Sequence, residues 1–370
     1  MSDINCLFFD LLRITVGSAD GLSRIPTDKE WKALYNMAKK QSLVGVCFAA
    51  LQRLGADADE GFARIGMNEM LYLTWMGMAA KIQQRNQIVD EQCITLQKRL
   101  AEVGFKSCVL KGQGVGQMYA EHLRGLRQSG DIDIWMDGGF ERVNNWVQKV
   151  APTKVVNQHH VDLKIFDGTE VEAHYHPINM TNPWRQKRLK KFIRDHEDEC
   201  LTDALDDKIH VPTIKFNLVF LMIHIFHHLF TEGVGLRQIM DYYFALRAYS
   251  KNHEDKEEVV RVVRELGFER FASALMYVMQ TVYGMDEQLM LWKPNKKDGK
   301  FLLDEIMISG NFGKQDDRQK GLYESKWNSF WMVNGKTFRF WRFDHWAWLW
   351  SPVERIRGYA WRRMHGYRQY

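Results

Sequence analysis

Apolar residues recur at helical spacing over about the first hundred residues of the chain. Leu7, Leu11 and Ile14 lie three or four positions apart, and the same period returns from Met70 onwards. This spacing places apolar side chains on one side of an α-helix. The segment Ile82–Val103 continues the pattern, and a glycine follows it, as glycine often follows the last turn of a helix. This region is therefore predicted to be helical.

The pattern changes at Phe105, where short apolar runs and strict alternation replace the helical period. Asp131–Trp135 alternates polar and apolar residues, which is typical of a strand with one buried face. Val161–Phe166 and Thr169–Tyr175 flank an Asp-Gly turn, and this arrangement predicts a β-hairpin. In chain order, the predicted elements of this unit are a strand at 107–110, a helix at 112–123, the strand at 131–135, a helix at 140–150 and the hairpin.

Helical spacing returns from Trp184, with strongly apolar segments at Ile214–Phe230 and Leu236–Ser250. Two polar, glycine-containing segments at 293–300 and 310–321 are predicted to be loops. The expected fold class is α+β, with a small mixed-sheet core embedded in a largely helical protein. The expected divisions are a helical N-terminal region at 1–104, an α/β core at 105–180, a helical C-terminal domain at 181–325 and a basic aromatic tail at 326–370.

Composition limits the class of protein. Apolar residues make up 45% of the chain and charged residues 26%, which is ordinary for a globular protein with a real core. The net charge of +5 is too small to argue for nucleic acid, but it suits a phosphate-rich small ligand. Five cysteines without a CxxC pair or a secretory signal favour a reducing compartment. Histidines interrupt Phe216–Phe230, which we expect to be too short to span a bilayer, so a cytoplasmic protein without a transmembrane segment is predicted.

Acidic side chains on two predicted strands suggest a metal site. Asp131 and Asp133 lie two positions apart, so both carboxylates emerge on one face of their strand. Cations such as Mg²⁺ and Mn²⁺ take oxygen ligands. A third carboxylate for such a site should come from a neighbouring strand. The strand at 169–175 supplies the candidates, because four polar residues share one of its faces: Glu170, Glu172, His174 and His176.

A candidate phosphate-binding turn precedes these strands. Lys111, Gly112 and Gln113 lie where a strand passes into a predicted helix, and free N–H groups at a helix N-terminus attract phosphate oxygens. Gly112 would let the backbone approach a ligand, and Lys111 would add a point charge. Arg127, four residues before Asp131, is expected to reach the same phosphates.

These residues resemble the signature of a known family. The run Val109-Leu110-Lys111-Gly112, then Tyr119, then Arg127 with Asp131-Ile132-Asp133, is similar to the "LKG … Y … RxxxDID" pattern of the uncharacterised nucleotidyltransferase family. Val171-Glu172-Ala173-His174 resembles the "vExH" strand of that family. Four residues of the helical part resemble its "HxxxH … lRxxxD" pattern: His224, His228, Arg237 and Asp241. The resemblance covers roughly residues 85–250.

The resemblance implies a nucleotidyltransferase core of the polymerase-beta superfamily, frequent in bacterial polysaccharide-biosynthesis clusters. It further implies two Mg²⁺ ions held by Asp131, Asp133 and Glu172, with an NTP as donor of the NMP group. The acceptor is not implied, and a small molecule, a glycan, a protein or an RNA would serve. The wider superfamily has Gly-Ser where this chain has Gly112-Gln113. Two alternatives are a non-catalytic nucleotide-binding or scaffold module of the same fold, and a toxin-like enzyme that modifies tRNA or protein.

Several features outside the carboxylates allow two interpretations. Arg237 and Asp241 share a helix face and predict either an ion pair or contacts with the nucleotide. His224 and His228 also share a face and are expected to lock their helix against the catalytic unit by hydrogen bonds; a direct role in metal binding is the alternative. A further group of histidines fits no recurring zinc spacing: His159, His160, His174 and His176.

The C-terminal tail combines tryptophan with arginine. We expect an amphipathic helix that docks its tryptophans on the protein and keeps its arginines in water. Contact with an anionic surface, such as a membrane or glycolipid, and contact with nucleic acid are the alternatives.

Overall fold

The protein is seen here in a computed structural model that describes residues 3–56, 61–251, 256–313, 316, 318 and 335–367. A small four-stranded sheet is surrounded by helices, which confirms the α+β class. The N-terminal helices of the described residues are α1 (Asp3–Val16), α2 (Asp28–Lys40), α3 (Val44–Arg53), α4 (Gly61–Arg64) and α5 (Glu69–Glu102). After the sheet follow α9 (Pro183–Cys200), α10 (Ile214–Thr231), α11 (Leu236–Lys251), α12 (Lys256–Glu265), α13 (Glu269–Tyr283), α14 (Lys296–Ser309), α15 (335–339) and α16 (Ala347–Met364).

The sheet has the strand order β1-β2-β4-β3, with β1 at Ser107–Val109, β2 at Ile132–Met136, β3 at His160–Asp162 and β4 at Val171–His174. Strands β2 and β4 run parallel, whereas β1 and β3 are antiparallel to their neighbours, so the sheet is mixed. The antiparallel pair β3–β4 confirms the predicted hairpin. Asp133 on β2 stands directly opposite Glu172 on β4 in the register.

One face of the sheet packs on helices α5 and α8 (Gly139–Val150). Ile132 and Ile134 enter a core that includes Val89 of α5 and Val143 of α8. The other face carries Asp133 and Trp135, and the Trp135 ring lies 5.3 Å from Phe216 of α10. Strand β2 is therefore buried on both faces, although its alternating sequence predicted one face in water. Alternation shows that the polar residues share one face of the strand. It does not show whether that face lies at the protein surface or lines a cavity.

The larger core joins helices from the two ends of the chain. Leu11 of α1, Phe48 of α3, Leu221 of α10 and Leu275 of α13 belong to one apolar cluster. Helices that precede the sheet in the sequence thus pack against helices that follow it. The divisions at residues 104, 180 and 325 stay predictions, since a shared core of this kind does not mark where one folding unit ends.

Two predicted elements differ from the observed ones. The helix expected at 112–123 is two short helices, α6 (Gly112–Gly116) and α7 (Glu121–Arg124). The loop expected at 293–300 contains the start of α14, because the Asn295 side chain accepts a hydrogen bond from the Asp298 N–H, at 3.1 Å, and caps the first turn. The polar, glycine-containing composition predicted a loop here, but capping by Asn295 allows the helix to begin within this segment.

Helix α10 is long and apolar enough, by length and composition, to cross a membrane, contrary to our expectation that it would be too short. Its mean hydropathy is 1.4, and 67% of it is buried inside the protein. Such burial is what the core helix of a soluble protein shows. Among the described residues, it is the one helix that meets these criteria.

The described part of the tail docks on the rest of the protein. Phe340 and Phe343 are buried, and Arg185 donates to Asp344 with an Nη1–Oδ2 distance of 2.7 Å. The Trp361 ring lies 5.6 Å from Phe140, so this part of α16 packs beside α8, on the face of the sheet that carries Ile132 and Ile134. Other apolar side chains of this region stay largely exposed: Trp346 at 56% and Ile356 at 67%.

Candidate active site

A cavity of about 680 Å³ lies between the sheet and helices α10 and α11. The sheet contributes Asp133, Glu172 and His174 to its wall, and Asp131 joins them from the residue before β2. The volume is in the range that encloses a ligand the size of a nucleotide, roughly 300–1,000 Å³. Asp131, Asp133 and Glu172, the three carboxylates predicted to bind metal, therefore line one cavity.

Asp133 lies at the centre of the site and is only 1% exposed. Its Oδ1 accepts from Lys111 Nζ at 2.7 Å and lies 2.9 Å from His174 Nε2. Burial opposes the charged carboxylate, but Lys111 and His174 outweigh that effect and hold the pKa of Asp133 well below its usual range. A charged carboxylate is thus maintained in an enclosed position.

Glu172 and His174 extend the charged group along β4. Glu172 Oε2 lies 3.1 Å from His174 Nε2, so one imidazole nitrogen lies between two carboxylates. Burial works against the protonated form of His174, yet its hydrogen bonds to Asp133 and Glu172 raise its pKa to about 9. Burial also opposes charge on Glu172, but the contact with His174 lowers the pKa of that carboxyl. Glu170, the other carboxylate candidate on this strand face, is exposed.

Asp131 completes the acidic wall at a greater distance. Repulsion from Asp133 and, second, burial raise its pKa. Potential ligand atoms of Asp133, Glu172 and His174 lie within 4.8 Å of one another, and Asp131 is not part of that closest group. Two carboxylates with a third nearby form a set that can hold a divalent cation. Binding a cation would also relieve the repulsion between Asp131 and Asp133.

The candidate phosphate turn has a different geometry from the one we expected. Lys111 contacts Asp133, and the acidic residues around it outweigh burial and raise its pKa. Helix α6 has only five residues, so its dipole at Gly112 is small. Gly112 itself has φ +49°, and a Cβ there would lie 3.2 Å from the Asp131 carbonyl oxygen. Glycine is needed for this backbone turn next to Asp131.

Gln113 is not among the residues that line the cavity, and its predicted backbone contact with the nucleotide stays a prediction. Its side chain is buried and donates to the Asp90 carboxylate on α5. It therefore fastens the turn after β1 to the long N-terminal helix. No local pattern links Gln113 to Asp90, because the two residues lie 23 positions apart on different helices.

Arg127 forms a buried ion pair with Asp241 of α11. Its Nε and Nη2 donate to the two carboxylate oxygens at 2.7 and 2.8 Å, and the Tyr119 hydroxyl donates to the same carboxylate at 2.7 Å. Arg237 instead donates to the Gln128 carbonyl at 2.6 Å. Among the described residues, Asp241 therefore pairs with Arg127 and not with Arg237, the partner that helix spacing suggested. The family-like residues before β2 and on α11 are joined in one network.

The two guanidinium groups leave unused donors beside the cavity. Among the described residues, Arg127 Nη1 and Arg237 Nε are buried without a hydrogen-bond partner. Burial and repulsion from Arg127 lower the pKa of Arg237 to about 10. Two cations around one carboxylate create a positive region on the helical side of the cavity, opposite the acidic wall.

Histidines form the remainder of the helical wall. His224 Nε2 and His228 Nε2 lie 2.9 Å apart, and His228 Nδ1 lies 3.0 Å from Glu232 Oε2. Burial, followed by repulsion from His228, lowers the pKa of His224 well below its usual value. These residues bond with one another at the cavity wall, whereas we expected them to lock the helix against the sheet unit.

Several residues of the cavity wall were not predicted as site residues, and three of them show why. His159 precedes β3, Phe312 follows α14 with φ 54°, and Glu354 belongs to α16. His159 was noted as part of a histidine group, but no spacing linked it to the carboxylates. Nothing in the local sequence of Phe312 or Glu354 indicates a cavity, since the fold brings them there from distant parts of the chain.

The chain is an α+β protein in which adjacent parallel strands carry a pair of carboxylates that line one cavity. A family model described as "Uncharacterised nucleotidyltransferase" matches residues 27–284. The chain belongs to this nucleotidyltransferase family, and the match extends well beyond the 85–250 region of our motif comparison. Comparisons with curated proteins and with solved structures gave no match.

Proposed function

We propose that this protein is a metal-dependent nucleotidyltransferase that moves an NMP group from an NTP to a hydroxyl or phosphate acceptor. The observation that carries the proposal is the placement of Asp133 and Glu172 at paired positions of parallel strands, in a cavity that Asp131 also lines. Family membership supports the reaction class. The cavity supports a nucleotide-sized donor.

Asp131, Asp133 and Glu172 are the residues that would hold Mg²⁺ or Mn²⁺. The donor set fits, because Asp133 Oδ2 is buried and has no hydrogen-bond partner among the described residues. When bound, divalent cations supply activation of the acceptor oxygen and neutralisation of the phosphate charge. The strand pairing holds two of the carboxylates without a loop, so the ligands are fixed before any substrate arrives.

Positively charged side chains of the protein would orient the triphosphate. The Lys111 ammonium group forms an ion pair with Asp133. It would move to a phosphate oxygen once another positive charge neutralises that carboxylate. Arg127 and Arg237 have free N–H groups, and anionic oxygens would relieve the repulsion between these neighbours. Asp241 positions Arg127 through both carboxylate oxygens. Lys111, Arg127 and Arg237 thus form the phosphate side of the proposed site, and Asp241 is a positioning residue.

The acceptor is best identified by the fate of the transferred group. Purified protein would be incubated with each NTP, labelled at the α-phosphate, and with a desalted cell extract plus Mg²⁺ or Mn²⁺. Label recovered in small molecules, glycans, RNA or protein identifies the acceptor class. Nucleotide binding by calorimetry without label transfer or pyrophosphate release would reject catalysis in favour of a nucleotide-binding module.

The carboxylates are tested with isosteric variants. Asp133→Asn and Glu172→Gln should each lower transfer by at least ~100-fold, since each weakens the binding of the cation that would neutralise charge on the reacting phosphate. Glu170→Gln is the matched control, because it changes an exposed carboxylate near the start of the same strand. Circular dichroism would verify that all three variants fold. Undiminished transfer by the folded Asp133→Asn protein would contradict the proposal.

A further inference from the structure

Histidines converge on the acidic wall from β3 and β4. His160 and His174 are direct partners in the antiparallel register of these strands. The side chains of His159, His160 and His174 offer nitrogen atoms within 4.8 Å of one another. His174 also belongs to the group with Asp133 and Glu172, so the histidine group and the carboxylate group overlap.

The spacing of the potential ligand atoms suits a small coordination sphere. Glu172 Oε2 lies 3.4 Å from His160 Nδ1 and 3.1 Å from His174 Nε2. Ligands bound about 2.0–2.1 Å from a tetrahedral ion are separated by roughly 3.3 Å. Two of the separations needed for coordination are therefore already present.

Two of these atoms lack partners in the protein. His160 is 6% exposed and its Nδ1 has no hydrogen-bond partner in the described part of the chain; the same is true of Asp133 Oδ2. Leaving a buried polar atom unsatisfied costs about 1–3 kcal/mol. Both residues line the cavity, where a bound ligand would supply such atoms with a partner.

The orientation of His160 is fixed from its other side. The side-chain amide of Asn157 lies 2.7 Å from His160 Nε2. The atom that faces Nε2 is the amide nitrogen of Asn157. A 180° rotation of the amide would bring its oxygen to the ring, where it would accept the Nε2 proton and leave a lone pair on Nδ1, the atom that faces Glu172. Partners of this kind set the tautomer of metal-binding histidines.

We propose that His160 and His174 join Glu172 and Asp133 in a mixed nitrogen–oxygen site for a divalent transition metal such as Mn²⁺, Co²⁺ or Zn²⁺. Imidazole nitrogen favours these ions, whereas Mg²⁺ prefers oxygen ligands alone. The inference rests on the proposed function, because the carboxylates are shared with the catalytic cation site. It adds that histidines determine which metal the site selects.

Pulsed electron paramagnetic resonance on the Mn²⁺-loaded full-length protein tests the nitrogen ligands directly. The wild-type protein should show hyperfine coupling to imidazole nitrogen, and His160→Ala should weaken it. Calorimetry should find Mn²⁺ bound at least ~100-fold more tightly than Mg²⁺, with a ~10-fold or larger loss of Mn²⁺ affinity in His160→Ala, as expected for a lost metal contact. His176→Ala is the control and should bind Mn²⁺ as the wild type does.

The spectrum of the wild-type protein decides the matter even if a variant fails to fold. Absence of nitrogen coupling, or Mg²⁺ and Mn²⁺ affinities that are equal, would overturn the mixed site. Label transfer with Mg²⁺ alone would still support the proposed function in that case. Nitrogen coupling in a protein that transfers no label with any metal would support the metal site and count against the transferase.

Discussion

The two walls of the cavity differ in how their charges are arranged. The sheet wall concentrates carboxylates, and its central imidazole, His174, has a pKa raised to about 9. The helical wall carries the Arg127–Asp241 pair, and burial keeps its imidazole His224 neutral near pH 7. Similar residue types thus have opposite charge states on the two sides. The lesson is that neighbours and burial, rather than residue identity, define what each wall can bind.

The largest expected effect on stability comes from the helical wall. Asp241→Ala should lower the free energy of unfolding by about 3–5 kcal/mol, because Arg127 would remain buried without its partner. Denaturant titration followed by circular dichroism measures the change. Asp137→Ala removes the ion pair with Arg142, whose side chain is 44% exposed, and should cost no more than ~1 kcal/mol. Equal losses in both variants would mean that the buried pair has no special role.

The two imidazoles should affect stability in opposite pH ranges. The folded state of the metal-free protein keeps a proton on His174 between about pH 6.5 and 9, whereas the unfolded state has lost it. Stability from this group is present below pH 6.5 and is lost as pH rises through about 9, with a slope of up to ~1.4 kcal/mol per pH unit. His174→Gln should flatten that alkaline loss when unfolding is measured across this range in EDTA.

For His224 the sign is reversed. Its pKa in the folded state lies well below the ordinary 6.5, so below that pH the unfolded chain binds the additional proton. Stability should fall as the solution is acidified below pH 6.5, and His224→Gln should reduce the fall. The same unfolding titration, extended to acid, provides the measurement. An unchanged acid limb in His224→Gln would show that this imidazole is not kept neutral by the fold.

The smallest effect should come from the turn beside Asp131. Gly112→Ala introduces a Cβ at φ +49°, 3.2 Å from the Asp131 carbonyl oxygen, and should cost about 1–2 kcal/mol. Mn²⁺ affinity should fall as well, because relief of the contact displaces Asp131. Gly116→Ala meets no atom within 4 Å and should be neutral or slightly stabilising. A Gly112→Ala protein with wild-type stability and Mn²⁺ affinity would separate this turn from the metal site.

The residues of the proposed metal site were predictable to different degrees. Asp131 and Asp133 were predictable because alternation along one strand puts both on one face, and Glu172 because a family-like motif marked the next strand. His160 was not assigned to the site, since its relation to Glu172 depends on the hairpin register. Lys111 and Arg127 were expected to face phosphate, yet each pairs with a carboxylate in the fold. A motif shows which groups are near the site but not which of them neutralise each other.

The sequence by itself determined the α+β class, the hairpin, the carboxylate-bearing strands and the family. These follow from backbone periods of two or 3.6 residues and from short motifs, which are local properties of the chain. The tertiary structure decided that Asp241 pairs with Arg127, that Gln113 turns to Asp90 and that α16 brings Glu354 to the cavity. Such partners are far apart in the sequence, and the packing of whole helices against the sheet sets their distance, burial and charge.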